Sequence, residues 1–351
     1  MERDRRLVCE AALQRRGWAL ALALLLLGGA ACSTPGTRDG PQLYSEARHG
    51  IDRFVQAQGY RLHYVEAGQG PPVVLIPGAF TTYRTWDGML PALAAHHRVL
   101  SVDYVGVGDS DQPKTGFGYT VEEQADVMAE AIIALGVAGT RVVGASYGGA
   151  VALNLAARYP ELVSQIVCIE GGALITPEVL NYSPLGRLIE WPVLGDIIWG
   201  FMKSGLFDAV AARSVMGTAW ADLTPDARRE VTGVVSANVK TVSRASWMGI
   251  YRAITTRIDF VEALQRTRVP VLYLYGEESK YRAVAEVNAR RFSERHPNIE
   301  VVAFRHGIHD LHLQYPGDVS RLVLGFFGEA PSAHLAAGGA AGGNRPGVMR
   351  P

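Results

Sequence analysis

Arg141-Val142-Val143-Gly144-Ala145-Ser146-Tyr147-Gly148-Gly149-Ala150 drives a β-branched run into Gly-x-Ser-x-Gly and leaves it as an alanine-rich helical pattern. The stretch reads as a nucleophile elbow, a sharp strand-to-helix turn with a serine at its apex. Side chains at positions 144 and 148 would collide with neighbouring backbone in such a turn, which accounts for glycine at both. The hydroxyl of Ser146 would project into a cleft above the sheet. The helix beginning near Tyr147 would bring its N-terminal dipole close to any negative charge formed there. An ordinary glycine-rich strand-to-helix turn uses the same five residues, so the rest of the chain has to decide between the two.

The surrounding pattern extends the strand–helix alternation. Short apolar runs at Tyr60 to Ala67, Val73 to Ile76, Arg98 to Val102, Gln165 to Ile169, Val271 to Tyr275 and Val301 to Phe304 alternate with helical stretches such as Trp86 to Ala95 and Val121 to Leu135. This predicts an α/β protein with a mostly parallel sheet and helices on both faces. The pattern breaks over residues 172–256, predicting a helical cap inserted between core segments 51–171 and 257–328. Leu185 to Pro192 and Ile197 to Met202 are unusually apolar for an insertion, fitting packing on the core, a roof over a substrate tunnel or contact with a membrane. In 351 residues that are 48% hydrophobic, one large core with an insertion is accommodated. The 34 basic and 34 acidic residues balance, leaving no electrostatic footprint for nucleic acid.

Both ends read as additions to this domain. Arginines at 3, 5, 6, 15 and 16 precede an apolar run from Trp18 to Leu27 and the small residues before Cys32, the layout of an export signal over 1–31. Cys32 resembles the acylated cysteine of bacterial lipoproteins, although Gly29 stands where leucine is usual; ordinary signal cleavage is the alternative. Residues 32–50 would tether the domain, which would then be lipid-anchored to an outer membrane or periplasmic. Residues 329–351 are rich in Ala, Gly and Pro and are predicted to stay disordered. Cys168 is the one cysteine in the folded body and reads as a core residue. No His/Cys cluster has metal-ligand spacing, and His96-His97 reads as a solvated pair. Neither cofactor nor metal is predicted.

A serine hydroxyl needs a base within hydrogen-bond reach and a carboxylate to orient that base. Three histidines compete in Arg305-His306-Gly307-Ile308-His309-Asp310-Leu311-His312. His309, seven residues before Pro316, resembles the histidine in the Gly-x-His loop of the α/β-hydrolases; His306 ranks next, and His312 reads as a loop or pocket residue. By that resemblance an aspartate would stand three residues after Gly276, where this chain has Ser279. Two sources of a carboxylate remain. Glu170 ends the strand after the serine helix, where the active-site groups of open α/β sheets gather; the Glu277/Glu278 pair lies in a charged turn and is the alternative.

Thr81 to Trp86, Gly106-Val107-Gly108-Asp109-Ser110-Asp111-Gln112-Pro113-Lys114 and Val163 to Glu170 resemble the haloalkane dehalogenase branch of the α/β-hydrolases, some of whose members place a catalytic glutamate at the end of this strand. That branch attacks with an aspartate; here Ser146 takes its place, Tyr147 replaces a tryptophan, and Ala79 replaces an asparagine in Pro77-Gly78-Ala79-Phe80. The resemblance implies the α/β-hydrolase fold with an eight-stranded sheet and backbone N–H donors at Tyr147 and Ala79, with Phe80 second, for an oxyanion, and leaves the turn without its usual histidine before Gly78. The chemistry implied is cleavage of a small, apolar carboxylic ester through an acyl-enzyme. C–C hydrolysis, perhydrolysis, thioester or amide cleavage and acyl transfer use the same residues. A membrane-tethered binding protein without catalysis is the alternative from another class.

Overall fold

The computed structural model describes residues 50–175, 188–296, 298–329 and 347–348. The export signal, Cys32, nearly all of the tether, residues 176–187 of the cap and most of the tail lie outside the described residues.

The main sheet runs β1-β2-β4-β3-β5-β6-β9-β10-β11. β1 (Ile51–Ala57) and β2 (Tyr60–Ala67) form an antiparallel hairpin. Its two-residue turn, Gln58-Gly59, has positive φ at both positions, the conformation that matches the twist of paired strands. β2 lies antiparallel to β4 (Arg98–Val102). From β4 onward, β3 (Pro72–Ile76), β5 (Thr140–Ala145), β6 (Val163–Ile169), β9 (Val271–Gly276) and β10 (Ile299–Phe304) are all parallel. Together these make the mostly parallel, eight-stranded sheet that was expected. A ninth strand, β11, is only Gly347–Val348, antiparallel to Val302 and Ala303. Within a tail predicted to be disordered, these two residues use the free hydrogen-bonding groups on the edge of β10.

The period of two along each strand divides the core. Val74, Ile76 and Val142 join one buried cluster, whereas Val73, Leu75 and Val143 join the other, because successive side chains point to opposite faces. Helix α1 (Leu90–Ala94) follows a 3-10 turn at Tyr83–Trp86, not one helix from Trp86. Pro91 is compatible with a helical start. α2 (Val121–Ala134) is held by a capping box between Thr120 and Glu123. α3 (Tyr147–Arg158) follows the serine.

The insertion leaves and rejoins the core through a separate pair, β7 (Leu174–Ile175) with β8 (Ile258–Asp259). Between them stand α4 (Leu194–Lys203), α5 (Asp208–Met216), α6 (Pro225–Thr241) and α7 (Arg244–Thr255). The core resumes with α8 (Val261–Arg266), α9 (Arg282–Arg295), α10 (Leu311–Gln314) and α11 (Pro316–Phe326). The reading of His96-His97 as solvated needs correction. His97 is fully buried, edge-on to Phe327 at 5.7 Å, and burial pulls its pKa below the usual histidine value; the last helix, distant in sequence, covers it.

Candidate active site

Ser146 has φ 51° and ψ −115°, a strained conformation for a residue with a side chain. Its N–H donates to Ile169 O at 2.7 Å and its carbonyl accepts from Ala150 N–H at 3.0 Å, so the strained residue is held from both the next strand and the helix. The neighbouring glycines are required by close approach. A Cβ at Gly144 would lie 2.3 Å from Gly148 O, and one at Gly148 would lie 2.3 Å from both Ile76 O and Pro77 O. These are backbone atoms that no rotamer change can move.

Glu170, at the end of β6, also has positive φ (48°), and its carboxylate is almost wholly buried. Three donors converge on it: Gly276 N–H at 2.6 Å from Oε1, Ser279 Oγ at 2.6 Å from Oε2, and His309 Nδ1 at 2.6 Å from Oε2. The position where an aspartate is usual therefore holds a hydroxyl that anchors a carboxylate arriving from another strand. With Nδ1–H given to Glu170, His309 keeps Nε2 as a base. Burial works to lower the His309 pKa, but the Glu170 hydrogen bond and charge outweigh it, and the net shift is upward. The ring of Tyr281 meets His309 edge-on at 4.7 Å. Ser146, Tyr147, Glu170 and His309 line one cleft of about 480 Å³, a volume that includes its open mouth. Ile175, Ile254, Ile258, Val284, Ala285 and Tyr281 supply much of the remaining wall.

The turn after β3 separates the two candidate donors. Phe80 N–H donates to Tyr104 Oη at 3.1 Å, and Tyr104 Oη donates to Gly78 O at 3.0 Å. Thr81 adds its N–H at 3.2 Å and its hydroxyl at 2.9 Å to the same carbonyl. Phe80 N–H is thus occupied, while Ala79 N–H has no partner among the described residues. Tyr147 N–H lies in the first turn of α3, where no intrahelical acceptor exists. Tyr104, buried at the C-terminal side of β4, takes over the support that Pro77 cannot give. Sequence reading missed it; its place directly after Asp103, where a strand ends at the top of the sheet, was the available signal.

Six parallel strands, an elbow after β5 and a histidine loop after β10 together specify one architecture, and residues 71–194 match the family described as alpha/beta hydrolase fold. The chain has the α/β-hydrolase fold. Among relatives, it is 25% identical to the 2-hydroxy-6-oxo-6-(2'-aminophenyl)hexa-2,4-dienoic acid hydrolase of Metapseudomonas resinovorans over 79% of this chain and 90% of that one. It is 36% identical to a 2-hydroxy-6-oxo-2,4-heptadienoate hydrolase of Pseudomonas putida over 44% of this chain and 52% of that one. The enol-lactonase structure from Burkholderia xenovorans LB400 superposes with a TM-score of 0.64 at 21% identity, covering 79% of this chain and all of the other.

The other candidates fall outside the cleft. Glu278 is exposed and accepts from His306 Nδ1 at 2.8 Å and Thr218 Oγ1 at 2.9 Å; the His306 contact first, then Thr218, draws its pKa down. Glu277, its neighbour in the turn after β9, does not line the cleft either. His312 is no pocket residue. It is buried against Trp86, with ring centroids 4.7 Å apart, its Nε2 paired with Thr85 Oγ1 at 2.8 Å, and burial pushes its pKa down to about 4. Tyr147 turns its ring into the core, 5.3 Å from that of Tyr104, and its hydroxyl donates to Tyr119 O. The buried Cys168 thiol has its pKa pushed up to about 12 by desolvation. Among the described residues no group of three or more His, Cys, Asp or Glu side chains could hold a metal ion.

Proposed function

We propose that this α/β-hydrolase is a serine hydrolase that cleaves carboxylic esters of apolar substrates through an acyl-enzyme. The observation that carries the reading is the buried Glu170–His309 pair sharing one cleft with a serine held at a strained elbow. His309 Nε2 takes the proton of Ser146 Oγ as the oxygen bonds to the ester carbonyl carbon. The tetrahedral oxyanion receives Tyr147 N–H and Ala79 N–H, and Glu170 stabilises the imidazolium. Collapse breaks the C–O bond, and His309 returns the proton to the departing alcohol. Water then repeats the sequence on the acyl-enzyme, releasing the acid and restoring Ser146.

The cleft wall favours a neutral ester over the acids named for the relatives. A dienoic acid is a carboxylate at neutral pH, and a buried carboxylate needs a cation or several donors. The described lining contains no Lys or Arg, whereas its isoleucines, Val284 and Ala285 suit an apolar acyl or alcohol group. We further propose export, with the leader over 1–31 removed and Cys32 acylated or the chain released after an ordinary signal.

A fluorophosphonate probe tests the reading. Labelling of the wild type that disappears in Ser146→Ala and His309→Ala supports it, and an unlabelled wild type would sink it. Turnover of p-nitrophenyl esters of increasing chain length, set beside a 2-hydroxy-6-oxo-dienoate, then separates ester from C–C cleavage. Labelling without turnover of any ester favours another serine chemistry on the same residues, and a wild type that neither labels nor turns over any substrate favours the non-catalytic alternative.

A further inference from the structure

Eleven large apolar side chains are exposed among the described residues, and seven of them fall between Trp191 and Val210. That concentration is not the scatter of single apolar residues normal on a protein surface. It has a geometric cause in α4. Gly195 packs where a Cβ would lie 2.1 Å from Ile189 O, and Trp199 approaches Trp247 at 6.2 Å between ring centroids. These contacts pin one side of the helix to the cap. Leu194, Ile197 and Phe201, at spacings of three and four, are left on the outside at 39, 53 and 46% exposure. Trp191 and Val193, at 58 and 72%, extend the stripe ahead of the helix, and Leu206, at 71%, extends it beyond.

Three charged residues bordering the stripe are engaged within the protein. Glu190 pairs with Arg252 Nε at 2.8 Å and Asp196 with Arg244 Nη1 at 2.5 Å. Lys203 donates Nζ to Lys240 O at 2.6 Å and lies over the Trp199 ring. A helix face with an apolar stripe, aromatic residues at its margin and internally neutralised acids is suited to a medium of low dielectric constant. A fluid medium can cover such a stripe without matching its shape.

We propose that the outer face of α4 and its flanks dock on a phospholipid bilayer, seating the cap in the interfacial region. The chain outside the described residues favours this occupant over a protein partner. Cys32, the expected acyl acceptor, is separated from Gly50 only by residues 33–49, which reach at most about 60 Å when extended. A tether of that length keeps the domain near the membrane without orienting it, and the stripe supplies the orientation. Single acyl chains bind bilayers reversibly, so a second contact adds to retention. Docking on lipid does not depend on the hydrolytic chemistry, and its test reads binding rather than turnover.

The chain freed of its 1–31 leader and carrying Cys32→Ser, which removes the acyl anchor, is mixed with vesicles of phosphatidylethanolamine and phosphatidylglycerol at three to one and sedimented. The same background carrying Ile197→Asp and Phe201→Asp should partition at least tenfold more weakly, with an unchanged circular dichroism spectrum and thermal midpoint. Brominated lipid should quench tryptophan fluorescence, and Trp191→Phe should remove a large part of that quenching. Equal partitioning of the two proteins, or quenching unaffected by Trp191→Phe, overturns the proposal. So does self-association in sedimentation velocity that the Asp pair abolishes without vesicle binding, which would make the occupant a second copy. If the Asp variant unfolds, Phe201→Ser and Ile197→Ser replace it, with the same criterion.

Discussion

Ser279 is the residue whose removal should say most about the site. Its hydroxyl is one of three donors on the Glu170 carboxylate, and a hydrogen bond to a charged group contributes about 1.5–3 kcal/mol. Ser279→Ala leaves Glu170 with two donors. Its negative charge, no longer shared with the Ser279 hydroxyl, acts more strongly on the imidazolium of His309, so the His309 pKa, already raised, should rise further, by up to about one unit. Proton abstraction from Ser146 needs neutral His309, and activity climbs with pH through that pKa. The acid limb of the kcat/KM profile should therefore move to higher pH, and kcat at the plateau should fall by up to about tenfold as Glu170 loosens. Ester turnover between pH 5 and 9 reads both quantities, and Ser279→Thr should restore both. Because Ser279 Oγ lies 2.6 Å from Glu170 Oε2, the two positions address one point in space. Glu170→Gln should lower kcat by about 10³–10⁴, and adding Ser279→Asp should recover at least about tenfold of it. An unchanged limb and plateau in Ser279→Ala would refute the positioning role. A double variant no faster than Glu170→Gln alone would refute the claim that either strand end can supply the acid.

Buried His312, with its pKa near 4 against about 6.5 when unfolded, takes up a proton only on unfolding. Its contribution is therefore intact above pH 6.5 and lost as pH falls toward 4, by up to about 3 kcal/mol. His309, whose pKa is raised, acts with the opposite sign, its contribution being lost as pH rises above 6.5. Urea midpoints measured from pH 7 to 4 should fall less steeply in His312→Gln than in the wild type, and equal slopes would show that His312 is not the acid-sensitive group. Gly148→Ala places a Cβ 2.3 Å from two carbonyl oxygens and should cost about 3 kcal/mol or more; a loss below about 1 kcal/mol in the same assay would mean the elbow relaxes freely. Asn238 Oδ1 on α6 accepts from Thr82 N–H at 3.1 Å and Thr82 Oγ1 at 2.7 Å, joining the cap to the oxyanion turn. Asn238→Ala should destabilise by about 1–3 kcal/mol and raise KM, and a variant with wild-type stability and KM would contradict that link.

Local chemistry makes much of the core legible in the order of residues. The elbow depends on glycines within a few residues of Ser146, and the strands betray themselves by a period of two, as the division of Val73 and Leu75 from Val74 and Ile76 shows. The loop order that singles out His309 is likewise a matter of sequence. Residues whose surroundings come from far along the chain are less legible. His97 is enclosed by Phe327, His312 by Trp86 and Thr85, and Tyr104 bonds across to the Gly78 turn; none of these neighbours is near in sequence.

By itself, then, the sequence determined an α/β sheet with a serine at a strained turn and a histidine placed after the last long strand. Position at a strand end favoured Glu170 over Glu277 and Glu278, but only tertiary structure decided which carboxylate meets that histidine. Glu170 and His309 are 139 residues apart, and Glu277 and Glu278 are much nearer in the chain. What brings Glu170 into contact is the parallel register of β6 on β9, with Ile169 opposite Leu274, which sets the end of one strand beside Gly276 and Ser279 at the end of the next. Strand register depends on packing over the whole sheet, so no local pattern could show that Ser279, lacking a charge of its own, would hold the charge of Glu170 in place.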